Sequence, residues 1–148
     1  MTTSAHSRLP LTILFLALMG IAASAYLVYV HYSETAIICF GGNKGCETVQ
    51  NSPYSEVVGI PVALIGLAGY IALALMTFLR MKIEEPMKTW LVLAIFVSSL
   101  MGVLYSAYLT YLELFVIYAI CQWCVASATL MMVIFILAAI DLSKTLYA

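Results

Sequence analysis

Charged residues in this chain are clustered, and four long apolar intervals separate the clusters. No Asp, Glu, Lys or Arg occurs in 9–33, 57–79, 89–112 or 114–140. Each interval is long enough for the roughly 20 helical residues that cross a hydrocarbon core about 30 Å thick. Lipid offers the backbone no hydrogen-bond partners, which leaves only helices or closed barrels as spanning structures. Barrel strands alternate polar and apolar residues, and these runs do not. The pattern predicts an all-α membrane protein of one domain, 1–148, built as a four-transmembrane-helix bundle. The spans are expected at about 9–32, 58–80, 88–111 and 115–140, with a loop at 34–57 as cap.

Composition agrees. Of 148 residues, 65% are apolar and 9% charged, against about a quarter charged in soluble domains. Net charge is −1, so nothing points to nucleic acid. Near the N-terminus, Arg8, an apolar run and Ala22-Ala23-Ser24-Ala25 resemble a cleavable leader. The run continues through Tyr26-Leu27-Val28-Tyr29-Val30, and the segment is expected to stay as the first span.

With four spans, both termini and the middle loop share a side, which carries Arg8, Arg80, Lys82, Lys88 and Lys144. The other side has Lys44 among Glu34, Glu47 and Glu56. The positive-inside rule puts both termini in the cytoplasm and the 34–57 loop outside, in a multi-pass cell-membrane protein. Glu113, alone between the third and fourth apolar runs, reads as an interfacial carboxylate that fixes a turn, in preference to a catalytic one. Ser98, Gly102 and Ser106 recur at four-residue steps and read as a close-packing row, as do Gly66 and Gly69. Tyr26, Tyr29 and Tyr32, with Tyr105, Tyr108 and Tyr111, suggest an aromatic belt, or failing that two walls for a flat ligand.

All four cysteines fall in the outward half, the oxidising side of a cell membrane. Cys39 and Cys46 lie in the long loop, with Gly41, Gly42 and Gly45 between them to allow tight turns. Glu47 to Ser52 suits a short helix stopped before Pro53. Cys46 would then stand at its N-terminus, where the dipole favours a thiolate. Ile37, Ile38, Phe40 and Val49 are expected to press the loop onto the membrane face as a lid. Cys121 and Cys124 form a Cys-x-x-Cys motif, roughly 10 Å into the last helix when counted from Glu113 at about 1.5 Å per residue. Two pairs at two depths suit a relay, one exchanging with a protein thiol and the other with a membrane-dissolved acceptor. The alternative is a tetraspan scaffold or channel subunit with structural disulfides. Zinc held by four thiolates would leave net negative charge beside lipid. Covalent haem needs a His after the motif, where Val125 stands.

These features together resemble the vitamin K epoxide reductase family in its single-domain prokaryotic form. The resemblance rests on the paired loop cysteines, Ser52 six positions after Cys46, Gly59-Ile60-Pro61 opening the second helix, and Cys121-Gln122-Trp123-Cys124 near the start of the fourth. The bacterial quinone reductases that reoxidise periplasmic thiol oxidases have a similar core, but their Cys-x-x-Cys pair precedes the loop pair. The resemblance implies a quinone-reducing disulfide oxidoreductase, with a quinone of menaquinone or ubiquinone type among the helices. Cys39 and Cys46 would take electrons from a separate thioredoxin-like or DsbA-like thiol oxidase, whose attack is expected at Cys46. Cys121 would exchange with the loop and Cys124 would face the quinone. Ser52 would hold the loop or the neighbouring quinone ring. Vertebrate members carry a tyrosine one turn after the motif and an asparagine near the second helix, both by the quinone. Here Ala128 and Ser55 occupy those places, which leaves the hydrogen-bond partners of the quinone open and makes epoxide reduction unexpected.

Overall fold

The computed structural model describes residues 3–40 and 44–147. Gly41 and Gly42, two of the glycines expected to bend the loop, lie outside the described residues. The chain begins with α1 (Thr3–Ser33), followed in the loop by the short α2 (Gly45–Gln50) and a 3-10 turn at Pro53–Ser55. Strands β1 (Glu56–Val57) and β2 (Ile60–Pro61) pair antiparallel as a small hairpin, with Val58 and Gly59 both at positive φ in its turn. Helices α3 (Val62–Lys82), α4 (Met87–Leu112) and α5 (Gln122–Leu146) follow, with a π-helical turn at Glu113–Ile117 continuing α4.

Four helical segments are long and apolar enough to cross a membrane: Arg8–Ser33, Val62–Lys82, Met87–Ile117 and Gln122–Leu146. The expected bundle is therefore present, with shifted bounds. The second span starts at Val62 because Gly59-Ile60-Pro61 belongs to the hairpin. The last span starts at Gln122 rather than near 115, since α4 runs on through its π turn and the chain then unwinds. Tyr118 takes the left-handed conformation at φ 56°, which ends the helix, and the Ala119 N–H closes the turn on the Glu113 carbonyl at 3.1 Å. The apolar run hid this break because hydropathy is blind to backbone conformation.

The spans follow one another round the bundle, α1 beside α3, α3 beside α4, α4 beside α5 and α5 back against α1. Packing is unequal along its length. Ile13 and Ala17 of α1, Tyr70 and Leu73 of α3, Ile95 of α4 and Ile134 of α5 form a closed core, none more than 2% exposed. Gly20 lets the Tyr70 ring lie against α1, and Gly102 lets Met131 lie against α4; a β-carbon at either would overlap those side chains. Nearer the termini, Arg80 and Asp141 form a buried ion pair at 2.7 Å between α3 and α5. Arg80 is expected at the very end of the second span, at the edge of the cytoplasmic loop. It lies instead within α3, 3% exposed.

Candidate redox site

On the loop side of the closed core the bundle holds a cavity of about 530 Å³, floored by Tyr70 and Met131. Its walls are mostly apolar, from Leu27 of α1, Ile65 of α3, Val97 of α4 and Ala128 of α5 among others, and the loop roofs it with Val49, Ser52 and Ser55. Cys124 opens onto this space and so do Glu113 and Tyr105. The buried Tyr105 hydroxyl has no hydrogen-bond partner among the described residues. Ser98, Gly66 and Gly69, expected to serve packing, line the cavity as well. Gly69 has open space where a β-carbon would go, so it widens the chamber, whereas Gly102 does allow close contact.

The tyrosine trios do not share faces. A residue advances about 100° round an α-helix, so three-residue steps drift by about 60° each. Tyr29, Tyr32, Tyr108 and Tyr111 are accordingly exposed, in keeping with a belt. Tyr105 faces the cavity, and the Tyr26 ring lies 4.9 Å from that of Trp123, tilted by 42°.

The four cysteines form a graded series. Cys39 and Cys46 are joined by a disulfide, while Cys121 and Cys124 are free thiols. Cys39 is half-buried; Cys46, in the first turn of α2, is fully buried. Attack from solution at Cys46 is therefore ruled out in this conformation, because the short helix that was expected to present it is packed against α5 and the π turn. Its neighbour Gly45 rests on the carbonyl of Ile120, the residue before Cys121.

Cys121 caps the start of α5 and is 1% exposed. The thiol of Cys124, hydrogen-bonded to its sulfur, holds the Cys121 thiol down at about 7, with help from the backbone N–H groups of Cys124 and Trp123. Burial and the charge of Glu113 act in the opposite direction. The start of the helix thus favours a thiolate at Cys121, whereas the sulfur that meets the cavity is Cys124.

The two residues between these cysteines hold the loop. The Phe40 N–H donates to Gln122 Oε1 at 2.9 Å, and Gln122 Nε2 donates back to the Phe40 carbonyl at 2.8 Å. Trp123 Nε1 donates to the Ile38 carbonyl at 3.0 Å, and the Ile38 N–H donates to the Tyr26 hydroxyl at 3.1 Å. Cys39, between Ile38 and Phe40, is strapped over the Cys-x-x-Cys turn on both sides. Val49 faces the cavity as a lid residue should, but the Ile38 and Phe40 side chains stand 65% and 72% exposed, away from the bundle. Further along, Gln50 Nε2 donates to the Leu27 carbonyl at 3.2 Å and His31 meets Glu56 at 3.0 Å. Both contacts tie the loop to α1.

Ser52 and Ser55 line the cavity, and their hydroxyls donate to the Val49 and Ser52 carbonyls at 2.7 and 2.9 Å. Their hydrogens are spent on loop backbone, so neither has one left to donate to a ligand in the chamber. Glu113 does fix the turn: its Oε2 accepts the Cys121 N–H at 3.1 Å. It is also 5% exposed and hydrogen-bonded to Cys124, a proximity the sequence reading did not assign. The available signal was a single carboxylate at membrane depth, which is costly unless it is used.

The described geometry is a disulfide fastened over a dithiol that opens on an apolar chamber. The sequence model of the vitamin K epoxide reductase family matches residues 11–139, from the first span into the last and across both cysteine pairs. The chain belongs to that family of membrane oxidoreductases, which work on disulfides and act with quinones.

Proposed function

We propose that this protein oxidises a thioredoxin-like thiol oxidase and passes the electrons to a membrane quinone, so driving disulfide formation outside the cytoplasm. The observation that carries the reading is the order of the sulfurs, Cys39 half-exposed, Cys46 and Cys121 buried at the loop–α5 contact, and Cys124 on the cavity. A partner thiolate attacks Cys39, the sulfur it can reach, and Cys46 leaves. The partner's second thiolate then displaces Cys39, and the partner leaves with its own disulfide. Cys46 attacks the oxidised motif at Cys121 and frees Cys124, and Cys39 displaces Cys121 from Cys46, which restores the loop disulfide and leaves the motif as a dithiol.

The chamber suits a planar quinone of menaquinone or ubiquinone type. Its walls are apolar, and the unpartnered Tyr105 hydroxyl supplies the donor that a carbonyl oxygen requires. Bound there, a quinone accepts two electrons from the Cys121–Cys124 dithiol. Ser52 and Ser55 hold the roof over it and Cys124 faces it. Quinones are generally more oxidising than protein dithiols, and about 30 mV of difference gives about 1.4 kcal/mol in a two-electron couple. Flow therefore runs from protein thiol to quinone. Both termini face the cytoplasm and the loop faces outward, following the basic residues at the terminal end.

Trapping free thiols in membranes with and without an added short-chain quinone tests the reading. The dithiol at Cys121 and Cys124 is expected to become protected when quinone is added, and Cys124→Ala is expected to abolish quinone reduction. A thiol pattern indifferent to quinone would instead mark a scaffold with structural disulfides.

A further inference from the structure

Reduction of a quinone by a dithiol moves protons as well as electrons, and among the described residues that line the cavity there is one carboxyl. Glu113 projects from the π turn, the one place where the backbone of this span departs from α-helical geometry among the described residues. Such turns rotate a side chain out of the regular helical register and recur at functional sites. The carboxyl is almost wholly buried, faces the cavity and is hydrogen-bonded to Cys124. The Cys121 N–H engages Oε2, which leaves the carboxyl lone pairs for a second partner. A turn-fixing acceptor needs no negative charge: an amide or hydroxyl oxygen would serve the Cys121 N–H without the cost of a carboxyl at this depth.

We propose that Glu113 is the proton carrier of the reaction, accepting the proton of the Cys124 thiol and delivering it to a quinone oxygen; this rests on the quinone reading given above. The two thiols lose two electrons and two protons as the Cys121–Cys124 bond forms, and quinone gains both to become hydroquinone. The Cys124 proton travels through the Glu113 carboxyl. Cys121, ionised in part near neutral pH, gives its proton to the outside medium, and an equivalent proton from that medium completes the hydroquinone. Glu113 touches a reacting sulfur, and so counts as a catalytic residue.

The test uses the full chain carrying Glu113→Gln or Glu113→Asp. The glutamine oxygen still accepts the Cys121 N–H, so the start of α5 keeps its anchor, but the amide cannot carry a proton. In single turnovers with a short-chain quinone, Glu113→Gln is expected to slow reduction about a hundredfold, in the range of general acid–base catalysis. Glu113→Asp, which retains the carboxyl, is expected to fall between. The second measurement needs no quinone: alkylation of Cys124 by N-ethylmaleimide in a chain lacking the other three cysteines. It is expected to quicken severalfold in Glu113→Gln, which removes the carboxylate charge that opposes a Cys124 thiolate, and to return toward the parent rate in Glu113→Asp. Unchanged alkylation in Glu113→Gln overturns the assignment. Altered alkylation in a protein whose parent reduces no quinone overturns the quinone reading, and leaves Glu113 as the proton partner of Cys124.

Discussion

The α-carbon of Gly45 lies against the carbonyl oxygen of Ile120, so closely that a β-carbon at position 45 would overlap it. Each residue adjoins a cysteine of a different pair, Cys46 and Cys121, so the contact sets how near the backbone of one pair lies to that of the other. Gly45→Ala is expected to push α2 off α5, at an overpacking cost of about 1–3 kcal/mol. In a chain also carrying Cys39→Ala and Cys124→Ala, the yield of Cys46–Cys121 disulfide should fall about tenfold or more at fixed oxidant. Non-reducing peptide mapping measures it, and an unchanged yield would show that the contact does not set the exchange distance.

Gln122 holds the backbone of Phe40 by both its N–H and its carbonyl. Gln122→Ala removes two hydrogen bonds, worth about 1 kcal/mol each. Hydrogen exchange at the Phe40 amide should accelerate about tenfold or more, and exposure of Cys39 to a bulky impermeant thiol reagent after mild reduction should rise. Gln122→Glu should be worse than Gln122→Ala, because it sets a carboxylate against the Phe40 carbonyl.

The thiol of Cys121, at about 7 through its hydrogen bond from Cys124, should make the reduced protein react with iodoacetamide at position 121 with a midpoint near that pH. Cys124→Ala removes the donor and should move the midpoint upward. The linkage has a definite sign. The folded-state pKa lies below the unfolded one, so the unfolded chain binds more protons between the two values. Stability of the reduced protein therefore rises with pH above about 7 and is lost as pH falls through that value. Thermal unfolding of the reduced form, compared with its Cys121→Ser variant at several pH values, checks this.

The four spans could be read from the charge-free intervals alone, since each lies between residues such as Arg8 and Glu34 or Lys88 and Glu113 that resist lipid. The loop helix after Cys46 was legible from its polar residues and Pro53. The start of α5 was not. Tyr118-Ala119-Ile120 is as apolar as the helices around it, and only the left-handed backbone of Tyr118, a tertiary outcome, breaks the run. The misplaced start buried the Cys-x-x-Cys motif too deep in the helix and hid the role of Gln122 and Trp123, whose partners lie more than 80 residues away along the chain. Tyr105 could not be separated from its neighbours by spacing, because three-residue steps spread them over the helix surface.

Tyr105→Phe removes the unpartnered hydroxyl and little else. The KM for a short-chain quinone is expected to rise about tenfold, the cost of one hydrogen bond of about 1.4 kcal/mol, with thiol exchange between loop and motif unchanged. An unaltered KM would show that the quinone carbonyl is held elsewhere.

Arg80 and Asp141 are a buried ion pair, each side chain 2% exposed. Removing one partner leaves an uncompensated charge, and Arg80→Ala should destabilise the bundle by about 3–5 kcal/mol. Pairing Arg80→Met with Asp141→Leu should restore most of that loss, measured by thermal unfolding in detergent. Quinone reduction by the double variant should be normal, because the pair lies at the far end from the cysteines.

The closed core formed by Ile13, Tyr70, Ile95 and Ile134 separates the chamber from the end that carries the termini. An apolar stopper of this kind is a steep barrier to ions and to hydrated protons. On the proposed reading the bundle would work as a one-sided half-cell, with its sulfurs and its acceptor held on the loop side of the stopper, so that disulfide chemistry could run in a membrane without short-circuiting the voltage across it.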